Sequence, residues 1–245
     1  TFLLVGVWWA GFAQISFAVL PETRSPKPLN AGIFTEGFSE MKKVYREIKK
    51  LPILKKFLRG FFFYSMGVQT VMLAATLFGV KVLQLEDTKL IVTMVVIPLV
   101  AIPGAIWTSR LSGKFGNLQV LISMVMFWIL ICIAAYYTVI FKEGGGNPEI
   151  GFYGLAIAVG LIMGGIQSLS RSTYSKLMPE TKDTASYFSY YDFTEKIAIV
   201  IGMFIFGLME EITGSMKNSV LSLILFFALG MIWLVDAYKR SLRNR

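Results

Sequence analysis

The chain reads as an all-α, polytopic helix bundle embedded in a membrane, with about seven transmembrane helices. Six apolar stretches, at 2–20, 57–80, 90–107, 118–141, 150–169 and 220–235, reach or approach transmembrane length. Crossing about 30 Å of hydrocarbon takes roughly 20 helical residues. Charged residues make up only 16% of the 245 and mean hydropathy is +0.64, whereas a soluble domain carries about 25% charge. Lysines and arginines, finally, collect in alternate loops. Segments this long satisfy their backbone in lipid only as helices, since a β-barrel would show short alternating strands.

The first segment, 2–20, has its positive charges after the apolar run, in Arg24 and Lys27, and does not begin with Met. A signal peptide has them before it. The N-terminus therefore reads as a truncation point with upstream sequence missing. A long basic connection, 21–56, follows. It opens with Pro21, Pro26 and Pro28, a proline-broken exit from the membrane. From Thr35, a plausible N-cap, it turns into an amphipathic helix with Phe38, Met41, Val44, Tyr45 and Ile48 on one face. Such a helix either lies on an anionic leaflet or packs under neighbouring helices. Residues 57–237 then form a six-helix block with short turns, and 238–245 a basic tail.

The last element of that block to be justified is the segment 187–209. Its uninterrupted apolar run, 197–209, covers 13 residues, or roughly 20 Å of helix. That is too short to span. Glu210, Glu211, Thr213 and Gly214 mark its outer end, so the span must extend back through Asp192, Glu195 and Lys196.

Counting cations by loop gives the orientation. Lys and Arg number 19 in the 21–59, 108–117, 170–185 and C-terminal stretches, against four in the alternate loops. An odd number of helices with this bias puts the N-terminus outside and the C-terminus in the cytoplasm. The net charge of +9 thus reflects topology rather than nucleic-acid binding. There is no histidine, which removes histidine triads, histidine proton shuttles and His-ligated zinc. Cys132 is the only cysteine, so no intrachain disulfide forms, and its mid-span position reads as core. Nothing implies a cofactor or a metal, and no P-loop is present.

Asp192, Glu195 and Lys196 fall at i, i+3 and i+4, on one helical face. Ionisable groups within a membrane are costly and mark pathways or proton relays. Asp192 and Lys196 can neutralise each other, which leaves Glu195 without a local partner and makes it the better proton carrier. A plain interfacial salt bridge is the competing reading. Tyr187, Tyr190 and Tyr191 precede the triad and serve either an interfacial aromatic belt or substrate contact. Gly160 and Gly164, with Gly165, form a GxxxG face for close helix packing or a hinge. Gln167 and Ser168, and the mid-span pair Gln69 and Thr70, are cavity-lining candidates, because a buried amide needs partners. Arg171 marks a membrane boundary. The short turn from Ser109 to Asn117 carries Arg110, Gly113, Lys114 and Gly116.

With these residues in view, the chain resembles the C-terminal half of a major facilitator superfamily transporter. The resemblance covers the whole chain: 1–20 as the last helix of the missing N-terminal half, 21–56 as the central loop, then the six-helix second half. Gly113-Lys114-Phe115-Gly116-Asn117 is similar to the superfamily's cytoplasmic signature, except that Gly113 replaces the acid and Asn117 a base. Tyr64 to Thr70, Gly164 to Glu180, and Phe206 with Gly207 through Gly214 look like the vacuole-effluxer, or autophagy-related permease, branch. Fungal members of that branch are linked to amino-acid efflux from the vacuole. The resemblance implies a secondary transporter working by alternating access on a small solute, with amino acids the suggested class. Its implied partners are the lipid bilayer, the missing N-terminal half, and protons or ions. Its implied place is a bacterial inner membrane, crossed many times.

Two other classes compete. An intramembrane aspartate protease needs a second membrane aspartate opposite Asp192, and only Asp236, at a helix end, is available; no enzyme is expected. A non-transporting receptor or scaffold, docking through the 35–50 helix, is the alternative to transport.

Overall fold

A computed structural model describes residues 2–19, 33–181 and 183–243. Among these there are eight α-helices and no strand: α1 (Phe2–Val19), α2 (Ile33–Lys50), α3 (Pro52–Leu77), α4 (Asp87–Phe115), α5 (Asn117–Glu143), α6 (Glu149–Leu177), α7 (Thr184–Thr213) and α8 (Met216–Arg243). The chain is thus an all-α membrane bundle. Six helices, α1, α3, α4, α5, α6 and α8, are long and apolar enough to span a membrane. The 30-residue α7 has the length but carries the three charges noted above. The prolines at 21, 26 and 28 lie outside the described residues.

Thr1–Ser39 and Glu40–Arg245 form separate compact units. In the first, α1 is an apolar helix with the Trp8 and Phe12 rings 4.6 Å apart. In the second, α3 packs chiefly on α8 and α7, α4 on α6, and α5 on α8 and α6.

From α3 onward each helix outruns its apolar stretch, because hydropathy marks only the hydrocarbon-embedded part. α3 starts at Pro52 rather than at 57, with proline in the first turn where its missing N–H costs nothing. It ends in a π-helical turn over Phe78–Val82. Lys142 reaches across to donate to the Val82 carbonyl at 2.8 Å, satisfying one of the terminal acceptors. α4 continues through Pro98 and Pro103. It meets α5 at the single residue Gly116, whose φ of +87° suits glycine alone among common residues. α7 begins at the N-cap Asp183, whose carboxylate accepts from the Ser186 amide at 3.3 Å, and stops at left-handed Gly214, φ +63°.

Small residues set the crossings. A Cβ on Gly160 of α6 would lie 2.8 Å from the Ile97 carbonyl oxygen of α4. One on Gly164 would strike the Ala101 carbonyl, and one on Gly104 of α4 the Leu161 carbonyl. The two backbones therefore touch directly, as small-xxx-small faces permit. Gly165 instead faces Thr108 and Met124. At the α3–α8 crossing Gly60 opposes Gly230 and Leu234, while Gly67 lies under the Phe227 ring. Trp128 of α5 stacks on the far side of the core with Phe227, centroids 5.5 Å apart. Cys132 is buried and lines a small apolar cavity of about 80 Å³.

The second half of α2 packs under its neighbours. Val44 and Ile48 are buried, Tyr45 stacks on Tyr190 at 6.4 Å, and Tyr187 donates to Glu47 Oε2 at 2.6 Å.

Candidate functional site: a charged layer beside a cleft

The three charges of α7 do not act as one group. Around a helix, residues i, i+3 and i+4 spread over an arc of about 100°, wide enough to point at different neighbours. Glu195 turns to α3, where the Gln69 side-chain amide donates to its Oε1 at 2.8 Å. Asp192 turns to α6, where Arg171 Nη2 lies 3.3 and 3.4 Å from its two oxygens. Lys196 is exposed, on the side of α7 that also presents Phe193 and Val200.

One sequence expectation is corrected here. No ion pair joins Asp192 to Lys196; the cation beside Asp192 is Arg171. Glu195, without a partner on its own helix, meets Gln69 of α3. The signal that could have found Arg171 was its register: Gly160, Gly164, Gln167 and Arg171 share one face of α6. Read as a boundary marker, it was separated from the site that it completes.

Beneath this layer lies an aromatic stack. Tyr191 is buried between Phe61, at a centroid distance of 4.2 Å, and Tyr174, at 5.0 Å. Tyr187 is buried too, and its backbone carbonyl accepts from the Tyr174 hydroxyl at 2.7 Å. Tyr190 is half-buried against α2. These tyrosines are helix-to-helix packing inside the protein; they form no outward-facing belt. Ser170 donates to the Ile166 carbonyl at 2.5 Å, so its oxygen accepts from Tyr64 at 2.6 Å and ties α6 to α3.

Above the charged layer a cleft of about 470 Å³ opens between α3, α4 and α6. Its walls are mostly apolar, with Met72, Met94 and Met163, and its polar groups are Thr76, Thr93 and Gln167. Gln69 is one turn from Met72 on α3, and Arg171 one turn from Gln167 on α6. The charges therefore adjoin the cleft along both helices.

Of the four polar residues expected to line a cavity on α3 and α6, only Gln167 lines the cleft; Gln69 is bonded to Glu195, and the other two lie elsewhere. Thr70 is fully buried, its hydroxyl unpartnered beside Gly202 of α7. Ser168 is exposed, with its hydroxyl bonded back to the Gly164 and Gly165 carbonyls at 3.0 and 3.1 Å. In the α4–α5 turn Arg110 and Lys114 are exposed, and no ion pair engages them among the described residues. Asn117 instead bridges to α6, accepting from Lys176 at 3.2 Å and donating to Ser172 at 3.4 Å.

The family model described as "Vacuole effluxer Atg22 like" matches residues 1–244. The chain belongs to this family. An uncharacterized MFS-type transporter, YxiO of Bacillus subtilis, is 26% identical over 232 residues, covering 95% of this chain and 52% of that protein. Autophagy-related protein 22 of Cryptococcus neoformans is 29% identical over 238 residues, covering 90% and 41%. The Yarrowia lipolytica protein of the same name is 26% identical over 258 residues, covering 96% and 44%. This Atg22-like chain thus spans about half the length of the curated relatives it matches. No solved structure matches it.

Proposed function

We propose that this Atg22-like chain is the second half of a secondary transporter that moves a small solute by alternating access. Its charged layer lies on α3, α6 and α7, beside a cleft walled by three helices. Adjacent halves that rock about a midplane site need ionisable and polar groups at such a place. The observation that carries the reading is the Gln69–Glu195 bond with the Arg171–Asp192 pair beside it: two carboxylates within one turn of α7, each held by a partner on a different helix. Relative motion of α3, α6 and α7 changes both partnerships, which links charge to conformation.

In this reading Glu195 exchanges the coupling proton or ion, Asp192 and Arg171 form a switchable pair, and Lys196 faces the other half as counter-charge. The groups facing Glu195 are Gln69 and Tyr64 from α3, with Tyr191 and Asp192 from its own helix. Gln167, Thr76 and Thr93 meet the solute's polar atoms. Amino acids are the first solutes to test, the class that the resemblance to the vacuole-effluxer branch suggests. The cation bias supports a cytoplasmic C-terminus, and the likeness to the Bacillus subtilis protein supports a bacterial inner membrane.

The test is uptake and efflux of a labelled amino-acid panel in proteoliposomes holding the full-length protein, across a pH series. Transport of at least one solute, with a pH dependence flattened by Glu195→Gln, supports the reading. An unchanged pH dependence in Glu195→Gln removes the proton role. No transport of any solute moves the scaffold reading to the front.

A further inference from the structure

A second cluster of charge sits where α3 begins and α8 ends. The Gly60–Gly230 crossing brings these helices together. Lys56 forms an ion pair with Asp236, and the Arg59 guanidinium lies 4.6 Å from the centroid of the Trp233 ring. Lys239 and Arg240 follow Asp236 by three and four residues, so they share its side of α8. One carboxylate therefore stands among Lys56, Lys239 and Arg240, with Arg59 one turn above Lys56. Among the described residues no other carboxylate pairs with Arg59, Lys239 or Arg240. Cations gathered this way repel one another until an anion enters.

The neighbouring surface is apolar and follows the same register. Leu225, Ile232 and Lys239 recur every seven residues on one face of α8, with Leu225 58% and Ile232 61% exposed. An apolar stripe that ends in cations matches a phospholipid, with chains along the stripe and phosphate at its end. The guanidinium of Arg59 is already held against an aromatic face, so its fork of donors is pre-oriented for phosphate oxygens.

We propose that this corner of the bundle binds an anionic phospholipid. Arg59, Lys239 and Arg240 grip its phosphate, and the Leu225–Ile232 stripe carries an acyl chain. Lys56 remains with Asp236 and steadies the two helix ends. The site is separate from the charged layer of α7, and its occupancy does not depend on which solute the protein carries.

Native mass spectrometry of the full-length protein in mild detergent tests this. Phosphatidylglycerol and phosphatidylcholine of identical chains are added in turn, with glycerol phosphate as a soluble competitor. Phosphatidylglycerol should be retained at least tenfold better than phosphatidylcholine, and glycerol phosphate should not displace it. Each of Arg59→Gln, Lys239→Gln and Arg240→Gln should lower retention by about fivefold. Lys239→Gln alters only an exposed side chain, so it reads binding even where Arg59→Gln perturbs folding. Arg110→Gln with Lys114→Gln removes two cations at another place and should leave retention unchanged. Equal retention of both lipids, displacement by glycerol phosphate, or phosphatidylglycerol retention that survives all three substitutions would overturn the proposal.

Discussion

Gln69 and Glu195 meet across the α3–α7 crossing, 2.8 Å apart in space and 126 positions apart in sequence. Neither has another side-chain partner among the described residues, so each depends on the other. Truncating one leaves its partner part-buried and unsatisfied. A double-mutant cycle on Gln69→Ala and Glu195→Ala, read by thermal unfolding in detergent, should therefore show non-additivity of about 1 kcal/mol or more. Additive single effects would mean that the two side chains stabilise the crossing independently.

Arg171 and Asp192 are about half exposed, and ion pairs of that kind contribute roughly 0–1 kcal/mol. Arg171→Gln and Asp192→Asn should each leave the melting temperature nearly unchanged while lowering transport at least tenfold. The reversed pair, Arg171→Asp with Asp192→Arg, should recover part of that activity. Wild-type transport in the single variants would make the pair structural decoration.

Tyr187 holds α2 in place through Glu47. Removing that hydroxyl in Tyr187→Phe should free the 41–50 segment, raising its amide exchange about fivefold to tenfold, as expected for a lost hydrogen bond of about 1 kcal/mol. Exchange elsewhere in α7 should not change. If 41–50 exchanges as before, burial of Val44 and Ile48 alone secures the helix.

Thr70 carries a buried hydroxyl without a partner. Valine has nearly the same shape and no polar atom, so Thr70→Val should stabilise the protein by about 1 kcal/mol, the lower end of the cost of an unsatisfied group. A lower melting temperature would show that the hydroxyl is satisfied in the membrane.

Two glycines of α6 offer a matched comparison. A methyl group on Gly164 meets the Ala101 backbone, whereas one on Gly154 meets nothing within 4 Å. Gly164→Ala should destabilise by about 2 kcal/mol, within the range for overpacked sites. Gly154→Ala should be neutral or stabilise by up to about 1 kcal/mol through helix propensity.

Much of the architecture was legible because lipid leaves the backbone few options. Apolar length located the helices, and the charges of α7 marked the one span that composition alone would reject. The glycine face of α6 was legible for the same reason, since small residues four apart have few other uses in a membrane helix. Hydropathy could not find helix ends, so the start of α3 was placed five residues late. The partners of the charges were equally hidden. Asp192 has a cation four residues away in Lys196, yet it pairs with Arg171, 21 residues distant on another helix. Local spacing describes one helix; which neighbour each face meets depends on packing. Tyr187 and Tyr191 misled for that reason, since an aromatic near a membrane boundary looks the same in sequence whether it faces lipid or another helix.

At three points the contact between α4 and α6 is backbone against glycine. Backbone carbonyls of Ile97, Ala101 and Leu161 lie against the bare faces of Gly160, Gly164 and Gly104, and Pro98 and Pro103 each remove a donor from the α4 ladder at the same level. No ring stands in the way of sliding at those three points, where the nearest side chains are Val100 against Gly160 and Ala101 against Gly164. The α3–α8 crossing differs, because the Phe227 ring sits over Gly67 like a pawl. One seam of the bundle thus has stretches of smooth bearing, and another carries a ratchet.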